Sequence, residues 1–255
     1  MSSIVRFIGT RKLRWKMLYA IRAIFSLAGK SWNDFYCWML DFQDRQVTLD
    51  QILSRPTATH KYKGLWDWGR GNYYLEFMKN HGLMPSDRVV DLGCGYGRVA
   101  IPLLKYQMGL GHYVGTEISK RRIELAKEWV VREGLVSRPH EFVLSKDNSL
   151  PFLANNSVDV VWVMSVFNHM PDHEFYELLN AIARILKPNG RLFAYFTTGP
   201  KNEADSIKDF RRPETQMQQA ILNAGFEVKK LKDFNSDLLV RDDDSIMYLA
   251  VRRKN

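Results

Sequence analysis

The chain has 255 residues, of which 45% are hydrophobic and 25% are charged. This composition excludes a wholly disordered or fibrous protein, and no run of about 18 apolar residues predicts a membrane-spanning helix. Two cysteines, Cys37 and Cys94, are too few for a disulfide framework or a structural zinc site. We therefore expect a cytoplasmic protein and predict no metal site.

The charge is unevenly distributed. Lys and Arg total 37 against 28 Asp and Glu, which gives a net charge of +9. Residues 1–33 contain seven of the basic residues and no acidic one, so the remainder of the chain is nearly neutral. A basic balance favours nucleic acid, an anionic membrane surface or an acidic substrate as partner. Because seven of these basic residues lie in residues 1–33, the excess of positive charge belongs mainly to the N-terminal region.

Residues 1–30 predict a basic amphipathic helix. Six apolar residues recur at steps of three and four and share one face: Leu13, Met17, Ala20, Ile21, Ile24 and Ala28. Two interpretations stay open. The helix lies on an anionic bilayer as a peripheral contact, or it packs its apolar face on the domain and solvates its basic face. A secretory signal is not favoured, because Arg22 interrupts the apolar stretch.

Residues 31–69 are rich in aromatic side chains and predict a helix followed by an irregular segment. The pattern predicts a further helix over 71–82, which ends near Gly82. We expect residues 1–69 to form an N-terminal extension and residues 70–255 to form the main domain.

From residue 87 onward, short apolar β-rich runs alternate with helical periodicity, which predicts a parallel sheet with helices on both faces. The last two runs follow each other without a helix, so they predict a hairpin and one antiparallel strand. The predicted strands are 88–92, 112–117, 141–145, 158–164, 190–197, 226–232 and 245–252. The predicted helices are 98–107, 119–134, 172–186 and 214–224.

A glycine-rich turn follows the first predicted strand. The sequence from Val89 to Arg98 reads VVDLGCGYGR, with glycines at 93, 95 and 97. Glycine permits positive φ and close approach of a ligand to the backbone, and the following helix offers unpaired N–H groups. The spacing is Gly-x-Gly-x-Gly and not that of dinucleotide folds. Asp91, which ends the strand, favours a cationic ligand over a pyrophosphate.

Two more acidic residues follow predicted strands. Glu117 ends the second strand, 20 residues after Gly97, where a carboxylate can accept hydrogen bonds from ribose hydroxyls. Asp147 and Asn148 follow the third strand, where a short acid or amide can meet an adenine amine.

These motifs resemble those of the class I S-adenosylmethionine-dependent methyltransferases over about residues 70–255. The run Asp159–Met170 is similar to the family's fourth motif, and Leu186–Gly190 leads into the fifth strand as in the family, with one glycine where two are common. The resemblance implies S-adenosyl-L-methionine as cofactor and a Rossmann-like, doubly wound, seven-stranded, mostly parallel sheet. The cofactor-binding residues it implies are Asp91, Gly93, Cys94, Gly95, Gly97, Glu117, Ile118, Asp147, Asn148 and Ser165.

Candidate residues for contact with the methyl acceptor lie after the fourth strand. His169 is the candidate catalytic base, because an imidazole can accept a proton near neutral pH; the alternative is a packing role. Asn168 is a candidate for orienting the substrate. Arg70 and Gly71 are candidates for a lid over the cofactor. Aromatic residues that suit an acceptor pocket, or equally a core, are Tyr195, Trp66, Trp68, Tyr73 and Tyr74.

The leading hypothesis is methyl transfer to an oxygen or nitrogen of a small-molecule, glycan or lipid-linked acceptor. One alternative is a nucleic-acid or protein methyltransferase that uses the basic tail, although the body of the chain is nearly neutral. Another is a binding protein that keeps the cofactor fold without catalysis. The segment Ser165–Asn168 lacks the Pro-Pro pair typical of many enzymes that methylate amino nitrogens.

Overall fold

The structure, a computed structural model, describes residues 11–53, 69–199, 203–206, 209–234 and 245–253. The strands, in chain order, are β1 (Arg88–Leu92), β2 (His112–Glu117), β3 (His140–Leu144), β4 (Val158–Met164), β5 (Leu186–Thr197), β6 (Glu203–Ser206), β7 (Asp209–Arg211), β8 (Phe226–Leu231) and β9 (Ser245–Arg252). The α-helices are α1 (Arg11–Leu27), α2 (Trp32–Asp44), α3 (Leu49–Leu53), α4 (Gly69–Asn80), α5 (Ala100–Gln107), α6 (Lys120–Arg132), α7 (Asp172–Ile185) and α8 (Glu214–Asn223).

Seven strands form one sheet in the order β3-β2-β1-β4-β5-β9-β8. The first five pair in parallel, whereas β9 runs antiparallel to both β5 and β8. The sheet reverses its winding beside β1, which places a crevice at the carboxyl ends of β1 and β4. The predicted fold class is confirmed, including the single antiparallel strand near the C-terminus.

Alternating side chains of the central strands build a core on each face of the sheet. Val89 and Trp162 lie on the face covered by helices α4, α5 and α6. Val90 and Val161 lie on the face covered by α7 and α8. All four residues are fully buried, which explains why these strands are apolar without interruption.

The predicted helices and strands of the main domain lie within a few residues of the observed ones. The short ribbon of β6 and β7 and the single-turn helix α3 were not predicted. The N-terminal helix is described from Arg11 to Leu27, and residues 1–10 of the predicted helix lie outside the described residues. Among the residues the structure describes, no helix combines the length and apolarity needed to cross a bilayer.

Helix α2 lies across the carboxyl ends of the parallel strands. It begins with a capping box, in which Ser31 and Asp34 each accept a hydrogen bond from the other's backbone N–H. Its side chains bond to the loops that follow three strands. Asn33 donates to the Lys146 carbonyl (2.9 Å), the Cys37 thiol to the Ile118 carbonyl (2.9 Å) and the Trp32 indole to the His169 carbonyl (2.7 Å).

Candidate active site

A cavity of about 570 Å³ opens at the carboxyl edge of the sheet, beneath α2. Its size falls within the ~300–1,000 Å³ typical of small-molecule sites. Strand ends, the glycine turn and α2 all contribute to its wall. The lining residues used below are Asn33, Tyr36, Asp44, Tyr74, Asp91, Gly93, Cys94, Gly95, Arg98, Glu117, Ile118, Arg122, Asp147, Asn148, Trp162, Ser165, Asn168, His169 and Tyr195.

The glycine turn forms a tight loop between β1 and α5. Gly93, Gly95 and Gly97 have φ values of +71°, +56° and +87°. A Cβ on Gly93 would lie 2.5 Å from the Val166 side chain, so this position cannot accept a larger residue without movement. A Cβ on Gly95 would meet nothing within 4 Å. The backbone at Gly95 is therefore open for close approach of a ligand.

Glu117 holds the turn to the end of β2. Its carboxylate accepts hydrogen bonds from the backbone N–H groups of Gly95 (3.0 Å), Ile118 (2.9 Å) and Ser119 (3.1 Å). The side chain is buried and lines the cavity. The three N–H donors fix the orientation of the carboxyl group, while its two oxygens keep capacity for further donors.

Asp91 lies on the neighbouring strand, also buried. The Tyr113 hydroxyl donates a hydrogen bond to its carboxylate (2.9 Å). Burial raises the pKa of Asp91 to about 7, and the charge of Glu117 acts in the same direction. A cationic ligand beside Asp91 would remove the cost of ionising it. Burial also raises the pKa of the Cys94 thiol well above its usual range, which does not suit a nucleophile.

The loop after β3 contributes exposed polar groups. Asp147 accepts a hydrogen bond from the Ser149 N–H (2.8 Å) and is exposed to solvent, so part of its carboxylate serves the turn. Asn148 and Ile118 lie beside it on the cavity wall. This part of the site is less enclosed than the part around Asp91 and Glu117.

The loop after β4 carries His169 into the cavity. His169 is half-buried, and its ring stacks on that of Tyr36 with centroids 5.4 Å apart. Ser165 begins this loop with a φ of +57°, a strained value for a residue other than glycine. Asn168 donates to the Thr197 hydroxyl (2.9 Å) and accepts from its N–H (3.1 Å). Asn168 thus braces the loop against β5, and its role in orienting a substrate stays a prediction.

The buried Arg212, which follows directly after β7, fixes the same loop. Its guanidinium donates to the carbonyls of Phe167 (2.9 Å) and Met170 (2.6 Å) and pairs with Asp172 (2.7 Å). The residues on either side of His169 are therefore held by one side chain that lies far along the sequence. No local pattern in the sequence predicts this contribution.

Helix α2 supplies a wall of the cavity that was not predicted from the sequence. Asn33, Tyr36 and Asp44 line the cavity from this helix. The Ser31-x-x-Asp34 capping box and the i, i+4 spacing of Trp32 and Tyr36 are signals that would have located the helix and one of its faces. No local signal shows that this face covers the strand ends.

The aromatic and lid predictions have mixed outcomes. Tyr195 and Tyr74 line the cavity, whereas Tyr73 packs against Phe234 with ring centroids 5.6 Å apart. Gly71 is not among the residues that line the cavity. It lies within α4, where a Cβ would approach the Arg98 carbonyl oxygen to 2.4 Å, so it permits close packing of α4 on α5. Trp66, Trp68 and the Arg70 side chain lie outside the described residues.

The sheet order, the glycine turn and the two buried acids at adjacent strand ends match what the resemblance to the class I S-adenosylmethionine-dependent methyltransferases implies. The comparisons agree. Residues 90–194 match the sequence profile of a family described as "Methyltransferase domain". The chain is 36% identical over 106 residues to methyltransferase GfsG of Streptomyces halstedii. The aligned region covers 41% of this chain and 36% of that protein.

A second relative is the 27-O-demethylrifamycin SV methyltransferase of Amycolatopsis mediterranei, 32% identical over 114 residues, or 44% of this chain and 40% of that protein. The chain thus spans well under half the length of these relatives. Magnesium protoporphyrin IX methyltransferase from Synechocystis, solved with bound S-adenosylmethionine, superposes with a TM-score of 0.62 at 18% identity, over 84% of this chain and 95% of that one. At that identity the likeness shows the fold alone.

Proposed function

We propose that this chain transfers a methyl group from S-adenosylmethionine to an oxygen or nitrogen of a small-molecule, glycan or lipid-linked acceptor. The observation that carries the proposal is a single cavity with two unlike ends. One end presents the open Gly95 backbone and two buried carboxylates, and the other presents His169 among aromatic side chains.

The cofactor end suits S-adenosylmethionine by the chemistry of its donors and acceptors. Glu117 would accept the two ribose hydroxyls, and Asp91 would face the cationic amino group. Asp147 and Asn148 would lie near the adenine, and the backbone at Gly93 and Gly95 would pass alongside. The charged residues of the cavity lining include four acids, Asp44, Asp91, Glu117 and Asp147, against two arginines, Arg98 and Arg122. An acidic wall favours a sulfonium ligand over a polyphosphate.

When bound, S-adenosylmethionine supplies a methyl group activated by the positive sulfonium centre. The protein's main task is then to hold the acceptor atom in line with that methyl group. His169 would accept the proton that an acceptor hydroxyl or amine loses as it attacks. Tyr36, stacked on His169, would keep the imidazole in place during this transfer.

The enclosure of the acceptor end favours a small acceptor or a single protruding group. Helix α2 covers both ends of the cavity, since it is bonded to the loops that follow β2, β3 and β4, and its Trp32 holds the loop of His169. A nucleic-acid duplex would need an open, basic groove, which the acidic lining does not provide.

The test has two measurements. Calorimetry with S-adenosylhomocysteine should show binding to the full chain, and absence of binding would refute the assignment of the cofactor. The chain is then incubated with methyl-labelled S-adenosylmethionine and separate extracts of lipids, polar small molecules, RNA and protein. We expect label in the lipid or polar small-molecule extract, and label confined to RNA or protein would overturn the acceptor class.

The role of His169 is tested by His169→Gln, with the pH dependence of transfer as readout. A base predicts a loss of about 10²-fold or more in kcat and loss of the corresponding limb of the pH profile. Full turnover with an unchanged profile would leave His169 with a packing role only.

A further inference from the structure

Helix α1 presents an apolar stripe that no described residue covers. Met17, Ala20, Ile24 and Leu27 follow one another at steps of three and four, and therefore lie along one side of the helix. Their exposure is high for such side chains, reaching 62% at Ile24 and 89% at Leu27. Scattered single apolar residues on a surface are ordinary, but an aligned set marks an interaction surface.

The stripe is not the face by which α1 attaches to the rest of the protein. Leu18, Ile21 and Phe25 point inward and are half-buried. The Phe25 ring lies 5.8 Å from those of Phe35 and Trp38 on α2. The helix is thus anchored along one side while the neighbouring apolar side faces solvent, so packing on the domain accounts for only half of its apolar arc.

Charge indicates what covers the exposed stripe. Residues 1–33 carry seven basic side chains and no acidic one. Lys16 is exposed next to Met17, and Lys30 is exposed just beyond the end of the helix. A stripe of apolar side chains bordered by basic ones matches an anionic lipid surface, where the apolar groups enter the acyl boundary and the cations meet the headgroups.

We propose that α1 docks the protein on an anionic membrane surface through Met17, Ala20, Ile24 and Leu27. The proposal concerns where the protein is held, and it does not depend on the methyl-transfer activity.

The position of α1 gives this docking a consequence for the site. Helix α2 lies between α1 and the cavity: Phe35 and Trp38 contact α1, while Tyr36 contacts His169. Arg22 of α1 also lies over the Trp32 ring, 4.7 Å from its centroid. Docking through α1 would therefore bring α2, which covers the cavity, close to the lipid surface.

The experiment is co-sedimentation of the full chain with vesicles of phosphatidylcholine containing phosphatidylglycerol, beside vesicles of phosphatidylcholine alone. We expect binding to the anionic vesicles that weakens as salt is raised. Ile24→Glu with Leu27→Glu should lower the partition coefficient by about tenfold or more, since it removes two apolar anchors and adds two repelled charges. Equal binding to the neutral vesicles would overturn the proposal.

Val131→Glu is the matched control, because Val131 is also on a helix and is 64% exposed. It should leave vesicle binding unchanged, and an equal loss in this variant would overturn the assignment to α1. Affinity for S-adenosylhomocysteine, measured on each variant, reports separately on the cofactor site. A change of molecular mass in light scattering on Ile24→Glu with Leu27→Glu would show that the stripe binds a second copy of the chain, and would also overturn the proposal.

Discussion

The two ends of the cavity are built from different kinds of contact. At the cofactor end, Glu117 accepts a hydrogen bond from the Gly95 N–H and Asp91 accepts one from the Tyr113 hydroxyl, so both acids are held within the unit formed by β1, α5 and β2. At the acceptor end, His169 is held by Trp32, 137 residues earlier, and its loop by Arg212. Acids held within one supersecondary unit depend on few side chains, whereas a loop held by distant segments depends on the packing of each. The cofactor end should therefore respond sharply to single substitutions at a few positions, and the residues that support His169 should each give a milder effect.

The largest expected effect is at Glu117. In Glu117→Gln the side chain loses its charge. Its amide NH₂ group would also face at least one of the backbone N–H groups that Glu117 binds, so two hydrogen-bond donors would oppose each other. We expect affinity for S-adenosylhomocysteine to fall on the order of 100-fold, or about 2.7 kcal/mol. Asp147→Asn is the control, since Asp147 is exposed; it should change affinity by less than about threefold. Both affinities are measured by calorimetry. An equal loss of affinity in the two variants would mean that the burial of Glu117 does not explain its larger contribution to binding.

A somewhat smaller effect is expected on stability at Gly93. Gly93→Ala combines a positive φ with a Cβ that would lie 2.5 Å from Val166, so the free energy of unfolding should fall by about 2–3 kcal/mol. Gly95→Ala has the positive φ but open space, and should cost about 1 kcal/mol. Urea unfolding is measured for the two single variants and for the double variant Gly93→Ala with Val166→Ala. The comparison separates the cost of the positive φ from the cost of the contact with Val166. No recovery in the double variant would rule out the contact with Val166.

Asp91 should show opposite effects on stability and binding. Its pKa is near 3.9 in an unfolded chain and is raised to about 7 by burial, so its contribution to stability is present at low pH and is lost as the pH rises through 7. Asp91→Asn cannot ionise, so at pH 8 it should melt a few degrees higher than the parent chain, about 2–4 °C for each kcal/mol. It should nevertheless bind S-adenosylhomocysteine more weakly.

The measurement for Asp91→Asn is thermal unfolding from pH 5 to pH 8, with and without ligand. The gain in melting temperature should grow as the pH rises. A gain that stays constant over this range would contradict the raised pKa as its cause.

The smallest effect is expected at the acceptor end. Trp32→Phe removes the hydrogen bond to the His169 carbonyl but keeps an aromatic ring, so kcat/KM for methyl transfer should fall about fivefold, equivalent to about 1 kcal/mol. Affinity for S-adenosylhomocysteine should not change. Trp38→Phe is the matched control on the same helix, because Trp38 faces α1 instead. A loss of cofactor affinity in Trp32→Phe would show that the two ends are coupled.

The sequence was informative wherever function depends on residues close together in the chain. The strand, turn and helix around Gly93–Gly97 were predicted with the acids at 91 and 117, because alternating glycines after a buried strand leave few conformations. It was less informative for His169, where the same residue fits a base or a packing role. The structure places His169 on the cavity wall, and its role as a base remains a prediction.

The sequence alone determined the fold class, the edge of the sheet that binds ligand, and the uneven distribution of charge, because periodicity, turn chemistry and composition are local properties. Tertiary structure decided that α2 covers the cavity, that Arg212 holds the loop of His169, and that half of α1's apolar arc faces solvent. The first two arrangements join segments more than 40 residues apart in the chain, and the third depends on how two neighbouring helices pack. Amphipathic periodicity shows that a helix has an apolar face, but only packing shows what that face contacts.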